Sequence, residues 1–246
     1  MRLARYRSFW MYLVALAAGG TLLSAAPAQA TMVTFTASGV DGNLPMEASA
    51  TITVNDGAIV VQLTNLEPNV TSVFQEISGI QITLGGLSST GAVALTSATG
   101  TLININSNGS YYTSWSSINN WGTSTSGGTF TLSTDTNDLI IGAPDSNNLY
   151  SNSDSSISNN DPTIKNTGTF YLTVANATSD TTVTNAIFSF GTGASDPWVN
   201  GTNSSQVPEP TSLLMFGTAL LALGVFARGR RTRRVSRQTL SQTAAV

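Results

Sequence analysis

The chain has 246 residues, only 9% of them charged, and contains neither cysteine nor histidine. That composition excludes a disulfide framework, Ser-His-Asp and Cys-His nucleophile systems, and zinc sites built on histidine or cysteine. The formal net charge of −3 is sharply partitioned: arginines cluster at the two ends, whereas residues 31–206 hold twelve acidic residues against the single base Lys165, about −11 in all. Such a body repels nucleic acid and anionic lipid headgroups.

The first thirty residues read as a secretory signal peptide. Arg2, Arg5 and Arg7 form a positive start, residues 9–23 an apolar core, and Ala28-Gln29-Ala30 a small-x-small cleavage pattern that puts the cut after Ala30. No Arg-Arg pair precedes the core, which favours the general secretory translocon and signal peptidase. The absence of cysteine excludes a lipoprotein.

Residues 31–206 form the body. Short stretches alternate apolar and polar residues between Gly, Asn and Ser punctuation; "ASATITVNDGAIVVQLTNL" is the clearest hairpin, with Asn55-Asp56-Gly57 at its turn. No stretch carries a convincing helical period. The expected fold is all-β, a β-sandwich of jelly-roll type; a β-solenoid is the alternative, but no fixed repeat length supports it. Residues 107–128 and 142–162 interrupt the strands and read as polar surface loops.

Three features of the body could carry chemistry. Tyr111, Tyr112, Trp115 and Trp121 lie among Ser, Thr and Asn, so exposed rings could stack on sugars while neighbouring amides and hydroxyls bond to sugar hydroxyls. The opposing reading folds the tryptophans inward as loop anchors. Asp135, Asn137 and Asp138, with Asp145, Asn147, Asn152, Asp154 and Asp161, offer oxygen ligands of the kind calcium takes, without EF-hand spacing; turn chemistry explains them as well. Thr-x-Thr recurs at 34/36, 51/53, 123/125, 129/131 and 182/184, but at irregular intervals, as any strand with a polar outer face produces. No pair of carboxylates is nominated for catalysis, and Lys165 is the only candidate amine base, so the body reads as non-enzymatic, with no cofactor and no metal beyond the calcium option.

The C-terminal region is more specific. Val207-Pro208-Glu209-Pro210 is followed by seventeen uncharged residues, 211–227, and then by Arg228, Arg230, Arg231, Arg233 and Arg234. As a helix the run would measure about 25 Å, the lower limit for crossing a bilayer. The arginines after it would stay cytoplasmic. The two prolines hold the segment before the run extended, the form a protease cleft accepts. Residues 235–246 read as a short cytoplasmic tail.

This ordered triple resembles the PEP-CTERM sorting signal of Gram-negative bacteria. The resemblance implies recognition by exosortase, a membrane-embedded cysteine transpeptidase. It further implies export across the inner membrane, transient anchoring by the C-terminal helix, and a final place at the cell surface or in an extracellular matrix beside exopolysaccharide. A carbohydrate-binding or glycoside-processing domain carried by the same signal is the alternative.

Overall fold

The computed structural model describes residues 30–192 and 196–206. The expected signal-peptide core, Ala28, the helix expected over 211–227 and the arginine cluster lie outside the described residues. Among the described residues no helix is long and apolar enough to cross a membrane.

The chain begins as a three-stranded meander: β1 (Thr31–Asp41), β2 (Leu44–Asn55) and β3 (Ala58–Asn65). Alternation builds it, since Val33, Phe35 and Ala37, then Met46, Ala48, Ala50, Ile52 and Val54, then Ile59, Val61 and Leu63 all turn to one face and are buried. The turns fix the register. Gly42 and Gly57 take positive φ of 60° and 70°, and Asp41 pairs with Leu44 and Asn55 with Ala58, leaving two-residue connections.

The chain continues through a single 3-10 turn at Val73–Gln75 into β4 (Ile77–Gly85), β5 (Val93–Thr99), β6 (Leu102–Ile105), β7 (Tyr111–Thr113), β8 (Gly122–Ser126) and β9 (Thr129–Ser133). β10 (Ile140–Ile141), one helical turn α1 (Ser155–Ser158), β11 (Thr163–Lys165), β12 (Thr167–Val174), β13 (Thr182–Phe190), β14 (Trp198–Asn200) and β15 (Thr202–Gln206) complete it. The body is therefore all-β in substance. Residues 107–128 carry β7 and β8, short edge strands whose serines and threonines show little alternation in sequence.

The strands make two sheets, one of six in the order β15-β1-β2-β3-β12-β5 and one of nine, β14-β13-β4-β10-β11-β6-β7 with β9 on β4 and β8 on β9. Pairing is antiparallel throughout the described strands except between β10 and β11. One apolar core draws on both sheets: Phe35, Ile52 and Phe170 from the first, Ile80, Phe130 and Phe188 from the second. Among the described strands the chain passes between the sheets six times, and two of these passages, β3 to β4 and β12 to β13, run side by side: β3 pairs with β12 and β4 with β13, which interlocks the sheets.

A second, smaller core lies under residues 142–162. Tyr150 and Ile157 from that segment pack with Val70, Ile103, Ile105 and Ile141. Read from composition as a surface loop, the segment is pinned by two fully buried side chains, because its few apolar residues have the outer face of β6 to cover.

Candidate functional site

The four aromatic residues separate into distinct roles. Trp121 is 5% exposed; its ring centroid lies 4.4 Å from that of Phe170, and its indole N–H donates to the Asp138 carbonyl at 2.8 Å. A ring so placed cannot meet a ligand, and burial removes Trp121 from the sugar-contact set. Tyr111 is half-buried, edge-on to Tyr150 at 5.5 Å, and its hydroxyl donates to Asn148 at 2.6 Å. Lys165 donates to the same hydroxyl, with its ammonium 4.3 Å from the Tyr111 ring centroid, so the one base of the body is engaged beneath an aromatic. Tyr112 is 57% exposed and Trp115 98% exposed. Strand alternation explains the split between the tyrosines: Tyr111 stands opposite Ile105, on the face that covers the smaller core, and Tyr112 opposite Asn104, on the other.

Of the groups named as calcium candidates, Asp138, Asp145 and Asp154 act in the structure as turn and cap acceptors. Asp145 accepts from the Asn147 and Leu149 amides at 2.8 and 3.0 Å and from the Ser151 hydroxyl at 2.8 Å; these bonds, led by that from Leu149, hold its carboxyl below the usual range. Asp154 caps α1, accepting from the Ser156 amide at 2.8 Å. Asp138 accepts from the Asn119 and Asn120 amides at 3.0 and 3.1 Å. Asn137 donates to the Asp161 carbonyl at 3.0 Å, while Asp135, Asn147 and Asn152 are exposed. Among the described residues no three acidic side chains converge to hold a metal ion.

One carboxyl stands apart, and sequence reasoning did not find it. Glu76, between the 3-10 turn and β4, is 0% exposed, and neither of its oxygens has a hydrogen-bond partner among the described residues. Burial pushes it well above the ordinary carboxylate range, and the nearby charges of Asp161 and Asp154 push the same way. Asp161 is raised to about 6 by burial, against the opposing bond from the Ile105 amide at 2.7 Å. Tyr150 is raised too, by burial first, and its hydroxyl donates to the Gly142 carbonyl at 2.9 Å. Nothing around Glu76 in the sequence marks it, since a lone glutamate before an apolar strand ordinarily faces water.

Two cross-strand threonine pairs form on the six-stranded sheet, one of them from the Thr-x-Thr set. Thr34 stands opposite Thr51, with the hydroxyls 3.2 Å apart, and Thr64 opposite Thr167, with the hydroxyls 3.0 Å apart. Both pairs lie on the outer face of the six-stranded sheet, because the residues alternating with them are buried.

The ends of the body meet. Val33 pairs with Gln206 across β1 and β15, and Ala30 is exposed immediately before β1. Thr31, the first residue of β1, and Gln206, the last of β15, therefore lie at one end of one sheet. Val207, Pro208, Glu209 and Pro210, and the arginines from 228 to 234, lie outside the described residues.

These features define an all-β body joined directly, through an edge strand, to a C-terminal sorting segment. The segment is the PEP-CTERM protein-sorting motif, whose family model matches residues 206–234. That motif implies a protein exported and handled, with transient membrane association, by the exosortase system. The chain matches no curated protein and no solved structure.

Proposed function

We propose that this protein is a non-enzymatic component of the cell surface or extracellular matrix of a Gram-negative bacterium, working beside exopolysaccharide in a biofilm. The secretory translocon exports it, signal peptidase cuts after Ala30, a helix over residues 211–227 holds it with Arg228 to Arg234 inside, and exosortase processes it at Val207-Pro208-Glu209-Pro210. The body is read as a β-sandwich of jelly-roll character, a reading that the shared core of its two sheets supports. The observation that carries the proposal is the sorting motif at 206–234 following an edge strand that ends at Gln206. The lack of histidine and cysteine, with the most perturbed carboxyl sealed from solvent at Glu76, supports a non-enzymatic body.

Intact mass of the cell-surface form tests it. A chain beginning at Thr31 and ending near Pro210 is expected; a chain that keeps Arg228 to Arg237 would make the protein a plain tail-anchored one and overturn exosortase processing.

A second reading, a carbohydrate-binding body delivered by the same signal, is favoured by Trp115, 98% exposed among serines and asparagines. Release of reducing sugar from the cell's own polysaccharide separates binding from hydrolysis.

A further inference from the structure

We propose that the outer face of the six-stranded sheet docks a neutral polysaccharide chain laid across its strands; the inference rests on the exopolysaccharide association proposed above and gives it a surface. Three neighbouring rows make up the middle of the face, and the exposed Glu47, opposite Ser38, lies one row further out. Register places Thr34, Thr51, Gln62, Thr169 and Thr99 side by side on β1, β2, β3, β12 and β5. Two residues along the strands, Thr36, Ser49, Thr64 and Thr167 form a parallel row. Two residues the other way lie Met32, Thr53, Val60, Tyr171 and Ser97. Strand geometry spaces the groups about 4.8 Å along a row and sets the rows about 6.7 Å apart.

None of these positions is charged, although the body carries twelve acidic residues. A merely solvated sheet face, by contrast, is ordinarily studded with lysine and glutamate, which also guard against aggregation. The chemistry is instead that of a sugar chain's complement. The third row is the apolar one: Tyr171 is 41% and Met32 47% exposed beside half-buried Val60. Such a strip suits the C–H face of a pyranose, with the phenol hydroxyl left free to bond. The adjoining row supplies hydroxyls and the Gln62 amide, which both donate and accept, for the hydroxyls along a sugar's edge. The Thr34–Thr51 bond in that row and the Thr64–Thr167 bond in the row beyond it orient hydroxyls before any ligand arrives, which lowers the ordering cost of binding. With no cation in the rows, the face offers nothing to a phosphate or a polyuronate, and the acidic body repels both.

The test is native affinity electrophoresis of the protein recovered from the cell surface, in gels containing hydroxyethyl cellulose as a neutral glycan or alginate as a polyuronate. Retardation by hydroxyethyl cellulose and not by alginate is expected. Tyr171→Ala and Thr51→Glu should each raise the Kd by about tenfold or more, whereas Trp198→Ala, at an exposed ring on the nine-stranded sheet, should leave it unchanged. Should Thr51→Glu fail to fold, Tyr171→Ala, a half-exposed side chain, decides the matter alone. Binding that survives both face variants, or that is lost with Trp198→Ala, overturns the face and leaves the exopolysaccharide association standing. Failure of the parent protein to bind either probe or the producing cell's own exopolysaccharide overturns both. Inhibition of ice recrystallisation, lost in the face variants without any glycan affinity, would overturn the polysaccharide assignment in favour of ordered water.

Discussion

The ring of Trp121 packs on the ring of Phe170, their planes inclined by 44°, so that a residue leading into β8 of the nine-stranded sheet closes on β12 of the six-stranded one. Trp121→Ala would leave a cavity between the sheets and orphan the Asp138 carbonyl that its indole now satisfies. The expected loss is about 3–5 kcal/mol, read as a fall in the midpoint of urea unfolding. Trp115→Ala removes a ring already in water and should change stability by no more than about 0.5 kcal/mol.

Glu76 and Asp161 make stability depend on acidity in an unusual direction. Both carboxyls are raised in the folded protein, so the folded state holds protons that the unfolded state has released. Their contribution is full below their ordinary values of 4.5 and 3.8 and is lost as pH rises, for Asp161 through about 6 and for Glu76 at a pH well above its ordinary value. Asp145, whose carboxyl is held down, opposes this by losing stability in acid, but it is a solvent-exposed group. Melting temperature should therefore fall from about pH 4.5 toward neutrality, and Glu76→Gln should flatten the profile and raise the melting temperature at pH 7. A profile that rises over that range in the parent protein would contradict the burial of Glu76.

Calcium should leave the protein unmoved. One carboxylate oxygen each of Asp138, Asp145 and Asp154 is already committed to backbone amides, and among the described residues no three acidic side chains converge on a common point. A melting temperature that does not change in millimolar calcium is the expected outcome. A rise of several degrees would show a site that these turns do not reveal.

The join between β15 and β1 sets the shortest stable body. A chain ending at Gln206 should keep its full stability, whereas one ending at Gly201 loses the ladder that covers β1. At about 1 kcal/mol per backbone bond the truncation costs roughly 2–4 kcal/mol, and it bares a long edge open to pairing with another chain. Chemical denaturation and light scattering of the two truncated forms read both effects.

Local patterning made part of this structure legible. Ile52 and Val54 alternating with Thr51 and Thr53, and Asn55-Asp56-Gly57 at the bend, mark β2 and β3 because strand period and turn chemistry agree there. The sorting segment was legible because its three parts occur in a fixed order. What escaped depends on partners far away in the chain. Trp115 and Trp121 share one composition, and only the approach of Phe170 from β12 decides which of them is buried. Glu76 is buried with Asp154 and Asp161 near it, an approach from residues 142–162 that no local pattern announces. Of the Thr-x-Thr pairs, register brings Thr34 opposite Thr51, whereas Thr123 and Thr125 face Leu132 and Phe130, so which threonines meet is decided by the sheet and not by their intervals.

The pairing of the last strand with the first has a temporal consequence for a polypeptide threaded through a membrane from its N-terminus. On the export proposed above, β1 would emerge early and wait, one flank unsatisfied, until residue 206 had followed it out. Completion of the fold would then report that delivery is finished.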